Sequence, residues 1–149
     1  PSADVREHAL RLAESRLAET DSPQLRDRLV AMADDKSARV RMQVAYTLGE
    51  LNDPRAAQAL AHLAARDGGD VWCRTAILSS LGDIGAAEPG KPSKAQVMLT
   101  TLTRDTSRVA EIPSELLAQL VVLIGTRNRT DEVKSALEFI TTAIPAGQG

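Results

Sequence analysis

The chain has 149 residues, 43% of them hydrophobic and 26% charged, with a formal net charge of −2. That is enough material for one buried core, and it excludes neither a soluble enzyme nor a binding module. Basic and acidic side chains balance in both halves, 11 against 12 over residues 1–75 and 7 against 8 over residues 76–149. No one-signed block therefore marks a nucleic-acid or membrane arm.

No apolar run approaches the roughly 18 residues of a spanning helix. A single Cys excludes an internal disulfide framework. With one Phe, one Trp and one Tyr, the core must be drawn from Ala, Leu, Val and Ile, and there is little material for base-stacking surfaces. The start at Pro1, without Met or signal peptide, and the loose end over residues 145–149 suggest a piece of a longer protein.

Residues 5–17 carry apolar side chains at Val5, Ala9, Leu10, Leu12, Ala13 and Leu17, a helical stripe, with Ser2 or Asp4 placed to cap its start. Asp21-Ser22-Pro23 ends that helix and opens the next, where proline fits the first turn because its missing N–H would have no helical partner. Leu25, Leu29, Val30, Met32 and Ala33 give the second helix its inner face. After the polar turn at residues 34–37, with Ser37 as a cap, the third helix places Val40, Val44, Leu48 and Leu51 on one side. Gly49 interrupts that helix at a cost of about 1 kcal/mol relative to Ala, which close approach of a neighbouring helix would offset. Asn52-Asp53-Pro54 opens an Ala-rich fourth helix over residues 55–66, and Asp70 caps a fifth.

Residues 70–85 match the third helix at an offset of 33: Arg74 falls on Arg41, Ile77 on Val44, Leu81 on Leu48 and Gly82 on Gly49. A helix-turn-helix unit of that period predicts an all-α solenoid, in which each hairpin buries its face against its neighbours. Residues 85–93 contain two Pro and two Gly and read as an exposed loop. Helices follow over 94–104, with Val97, Met98, Leu99 and Leu102, and over 113–124, closed by Gly125, with residues 105–112 as a connection. Thr130 or Asp131 opens a last helix with Val133, Ala136, Leu137 and Ile140 inward. The expected architecture is eight helices in about four hairpins. One domain would span 1–144, with well-defined repeats over 5–85, degenerate ones over 94–143 and a frayed tail at 145–149.

Arg6, Arg41 and Arg74 hold equivalent places near helix starts. They read as a structural ladder bonded to turn carboxylates such as Asp34, Asp35 or Asp67, or to turn carbonyls, with Gly49 and Gly82 as further stack positions. The rival reading is a groove for an anionic partner. His8 and His62 lie far apart in the chain, without a second ligand at metal spacing, so no metal site is expected. Cys73 takes the place of Val40 and reads as a core thiol. Trp72 takes the place of Arg39, an outward position, and the two are the candidate partner contacts. The Gly pairs lack the strand and the Lys-Ser or Lys-Thr ending of a phosphate loop. Asn128-Arg129-Thr130 fits the glycosylation triplet.

The phrase Val40-Arg41, Ala45, Leu48-Gly49-Glu50-Leu51, Asp53, Arg55-Ala56 resembles the HEAT-like repeat of the lyase-type subgroup, and Val5-Arg6 and Arg74 with Leu81-Gly82 are weaker copies. The resemblance implies a right-handed α-α superhelix. The run from Val5 to Leu81 also resembles the helical segment of large planctomycete-type proteins described as membrane-bound dehydrogenases or haem-binding proteins. There a β-propeller precedes the helices and a c-type cytochrome domain follows. That likeness implies an extracytoplasmic redox parent in which this segment spaces or docks the functional ends. It places no haem or quinone on these residues, since the ligands are absent.

The expected function is a non-catalytic scaffold, protein-interaction or spacer module. It would have no cofactor, and its partner would be a protein or a neighbouring domain rather than nucleic acid, membrane or a small molecule. The rivals within the same resemblance are a bilin lyase, a hydroxylase holding iron through His-Glu pairs, which this sequence lacks, and a DNA-handling module, which the balanced charge disfavours.

Overall fold

A computed structural model describes residues 1–17, 22–82 and 91–143. Among them lie eight α-helices and no strand: α1 (Ala3–Leu17), α2 (Pro23–Ala31), α3 (Ala38–Gly49), α4 (Pro54–Asp67), α5 (Val71–Ser79), α6 (Lys94–Thr103), α7 (Ser114–Thr126) and α8 (Thr130–Ala143). Expectations for the loop at 85–90 and for the tail fall outside the described residues.

Local chemistry sets most helix starts. The Ser22 hydroxyl accepts the Leu25 N–H ahead of Pro23, and Asp53 accepts the Arg55 N–H ahead of Pro54. Asp70 accepts from both Trp72 and Cys73, and Ser93 accepts from Gln96. Ser2 accepts the Val5 N–H. Ser37 departs from expectation: its side chain makes no cap bond, and its own N–H is instead bound by Asp35 Oδ1 at 2.8 Å. Gly125 also moves, lying inside α7. The turn to α8 is made by Asn128, whose φ of +52° is one that asparagine tolerates better than most residues. The connection over 105–112 contains a 3-10 helix, Thr106–Glu111.

The helices form two rows. Contacts run α1–α3–α5–α7 in one row and α2–α4–α6–α8 in the other, so successive hairpins stack on each other rather than closing around a single centre. Between the rows lies a continuous apolar seam that includes Leu10, Leu29, Val44, Leu60, Met98 and Leu120, all buried. Small residues set its spacing. α4 presents Ala56, Ala59, Ala61 and Ala64 to that seam, and its contact with α6 is the most extensive among the described helices.

Four expected inner positions face outward. In α1 only Leu10 is buried, while Val5, Ala9 and Leu12 are exposed, and in α8 Leu137 is exposed while Ala136 is buried. A helix at the end of a stack has a neighbour on one side only, so part of its apolar face has nothing to cover it.

Gly49 lies where α3 and α5 cross. A Cβ there would sit 2.9 Å from Ser80 Cβ and 3.1 Å from Ser80 Cα, inside the contact limit. Gly82 does not repeat this role, since a Cβ added to it meets nothing nearer than Ser79 O at 4.0 Å. Gly49→Val is therefore expected to cost about 2 kcal/mol by overpacking, read as a lower melting midpoint. Ser80→Gly in the same chain should recover part of the loss, and Gly82→Ala should cost nothing measurable.

Candidate functional site

The arginines at the helix starts each bind a turn. Arg6 Nε and Nη2 donate to Asp35 Oδ2 and Oδ1 at 2.6 and 2.8 Å, and Nη1 donates to the Pro1 carbonyl at 2.7 Å. Arg41 repeats this one hairpin on. Its Nε and Nη2 donate to Asp67 at 2.7 and 2.6 Å, and Nη1 donates to the Asp35 carbonyl at 2.7 Å. Arg74 keeps only the carbonyl half, with Nη1 at 2.9 Å from Gly68 O. The planar fork suits this work, because one guanidinium serves the following turn and the preceding one together. The Arg6 hydrogen bonds hold the Asp35 carboxyl below the usual carboxylate range. Asp34 is not a rung: its carboxylate points outward to His62 Nε2, 2.8 Å away. Adjacent side chains on one turn point apart, and only Asp35 faces α1.

A second polar array joins α1 to α3. Arg11 Nε donates to Gln43 Oε1 at 3.0 Å, Gln43 Nε2 donates to Glu14 Oε1 at 2.9 Å, and the Thr47 hydroxyl lies 2.8 Å from the same Glu14 oxygen. Gln43 and Thr47 are buried, so these bonds satisfy groups that would otherwise be costly. Above them, Arg11, Tyr46, Glu50 and Ser79 border an open groove of about 670 Å³ on the α1–α3–α5 face.

Outward on the same row stand Arg39 and Tyr46, seven residues apart on α3 and so on one side of it, with Trp72 in the place equivalent to Arg39 on α5. Trp72 is 72% exposed and Tyr46 43%. Two of the chain's three aromatic side chains thus face solvent on this row. Arg39 is not free: it bonds to Asp4 and, at 2.6 Å, to Glu7.

Two buried charges are not among the sequence candidates. Lys94 Nζ donates to the Gly49 carbonyl at 2.5 Å, where the C-terminus of α3 favours a cation. Glu132, 3% exposed, accepts from Ser93 N and Oγ, both at 2.9 Å, and from Arg129 at 2.9 Å. Their partners lie 45 and 39 residues away. The one sequence hint is Lys94 itself, a cation in a first helical turn, where its own helix disfavours it.

The remaining candidates are separate from one another. His8 is exposed on α1, His62 pairs with Asp34 on α4, and among the described residues no three His, Cys, Asp or Glu side chains are placed to hold a metal ion. No described helix is long and apolar enough to cross a membrane. Cys73 is buried, and burial, followed by Asp70 and Asp67, pushes its thiol up to about 11 from an ordinary value of 9.0. Alkylation of the native chain at pH 8 is accordingly expected to run at least about tenfold slower than that of the denatured chain. The sign follows: the stability carried by the neutral buried thiol is complete below pH 9 and lost as pH rises toward 11.

A family model of HEAT repeats matches residues 1–82. The chain belongs to the HEAT repeat family. No curated protein and no solved structure matches it. The matched span covers the first two HEAT hairpins and α5, where the rungs Arg6, Arg41 and Arg74 lie. From α6 onward the polar ties change character. Arg127 and Arg129 reach carbonyls across the stack, Arg127 to Leu81 at 2.7 Å and Arg129 to Lys91 at 2.6 Å.

Proposed function

We propose that this chain is a non-catalytic protein-interaction and spacer module, engaging its partner through the outer face of the α1–α3–α5 row. HEAT repeats commonly mediate protein contacts, and family membership is compatible with a scaffold role. The observation that carries the choice of face is the exposure of Trp72 and Tyr46 on one row, in a chain with only three aromatics. Large, rigid aromatic side chains gain much on burial against a partner. The mechanism is geometric. The apolar seam and the arginine ladder fix the spacing of the hairpins, so Arg39, Tyr46 and Trp72 are presented on a preformed surface with little ordering cost.

The test places a photo-cross-linker at Trp72 and, as a control, at exposed Lys134 on α8. A discrete adduct from position 72 only, weakened by Tyr46→Ala at unchanged melting midpoint, supports this face. Equal labelling from both positions counts against it.

The finer reading rests on the likeness of residues 5–81 to the helical segment of extracytoplasmic dehydrogenase and haem-binding proteins. It makes the partner a neighbouring domain of a redox protein outside the cytoplasm. The sequence encoded beside this segment tests it: a Cys-x-x-Cys-His motif downstream supports the reading, and its absence leaves a HEAT module of other parentage.

A further inference from the structure

Two glycines leave room for the groove on the α1–α3–α5 face. Arg11, Tyr46 and Ser79 hold one repeat position on the three helices, and Glu14, Gly49 and Gly82 hold the position one turn further on. All six line the groove. Where α1 raises a carboxylate, the second and third repeats raise no side chain. Packing requires Gly49, because Ser80 lies against it. It does not require Gly82, where an added Cβ would meet nothing nearer than 4.0 Å and where φ lies outside the left-handed region. Neither packing nor backbone conformation accounts for that glycine, whereas an open groove does.

The free charge in the groove is negative. Arg11 is committed to Glu7 and Gln43. Glu14 bonds Gln43 and Thr47 through the single oxygen Oε1, which leaves Oε2 open. Glu50 is exposed, and among the described residues neither it nor Glu14 has a cation as partner. Tyr46 and Glu50 are four residues apart, so the ring and the carboxylate share one side of α3. The helices α3 and α5 also end here, at Gly49 and Ser79, and a helix C-terminus favours a cation. The molecule's own cations follow that preference nearby, with Lys94 on the Gly49 carbonyl and Arg127 on the Leu81 carbonyl.

We propose that this groove receives an arginine side chain of a partner protein, its guanidinium flat on Tyr46 and its N–H groups on the carboxylates of Glu50 and Glu14. The proposal rests on the protein-interaction reading above and names the chemistry of the partner. Arginine suits the groove better than lysine, because one planar ion both stacks on an aromatic ring and bonds a carboxylate through two parallel donors. At about 670 Å³ the groove has room for backbone on either side of that arginine, which favours a protein segment over a free cation.

The probe is the capped peptide Gly-Ser-Arg-Ser-Gly, titrated into the full chain to millimolar concentration and followed by amide NMR shifts. Saturable shifts at Tyr46, Glu50, Ser79 and Gly82 are expected. The lysine version should bind more weakly, and the citrulline version, which keeps the plane and loses the charge, should not bind. Glu50→Gln should weaken binding about tenfold, and Gly82→Leu should abolish it, both at an unchanged melting midpoint. No saturable shift, equal binding of the citrulline peptide, or binding insensitive to Glu50→Gln and Gly82→Leu would overturn the proposal. So would spermidine shifting the same amides at lower concentration than the peptide, since the occupant would then be a small polyamine. The partner face is judged separately. An adduct from position 72 that survives Gly82→Leu would overturn the groove and leave the face standing, whereas arginine binding without such an adduct supports the groove alone.

Discussion

Arg41→Ala is expected to lower stability by about 3 kcal/mol, with the melting midpoint falling by roughly 8 °C for a chain of this length. Arg41 is 7% exposed and forms a two-bond pair with Asp67. It also holds the Asp35 carbonyl, so its loss releases two turns at once and strands a carboxylate that is itself largely covered. Arg41→Lys should recover little, because an ammonium cannot make the fork and reach the carbonyl together. Arg41→Ala combined with Asp67→Ala should cost less than the sum of the single changes, since the stranded charge is removed with its partner. Thermal unfolding of the four chains measures that coupling, and strict additivity would show that the ladder is ornamental.

Glu132→Ala is expected to be nearly as severe, about 2–3 kcal/mol. The Glu132 carboxylate lies in the first turn of α8, where the helix favours an anion, and reaches across to the start of α6. Ser93 accepts the Gln96 N–H with its hydroxyl oxygen while donating its proton to Glu132, so the cap of α6 depends on a side chain 39 residues away. Removing Glu132 leaves the buried Ser93 N–H without an acceptor and the Arg129 guanidinium without its carboxylate. Glu132→Gln keeps one acceptor oxygen and should cost about half as much. Hydrogen exchange at the first amides of α6 locates the effect. Fast exchange there with α3 and α4 protected is the expected pattern, and uniform loosening would contradict it.

Much of this protein is legible along the chain, for a definite reason. Helix starts are decided by neighbours in sequence, so Ser22-Pro23, Asp53-Pro54 and Asp70 announce α2, α4 and α5 before any folding is considered. The repeat is legible because stacking makes each hairpin face the same environment, which writes similar residues at Arg41 and Arg74 and at Leu48 and Leu81. Gly49 shows where that reasoning ends. Its match with Gly82 is real in sequence, but only Gly49 lies under a crossing helix. Asp34 and Asp35 make the same point, since one residue's difference decides which carboxylate faces Arg6.

By itself the sequence determined an all-α stack of helical hairpins, its repeat length, and the arginine-centred turns, because each depends on periodicity and local hydrogen bonding. Tertiary structure alone decided which apolar residues have a neighbour. Leu12 and Leu48 look alike in a helical stripe, yet one is 73% exposed and the other fully buried, because burial depends on what lies beside a helix in the stack. It also decided the long-range ties from Lys94 to Gly49 and from Glu132 to Ser93, whose partners are brought together only when α6 settles between α4 and α8.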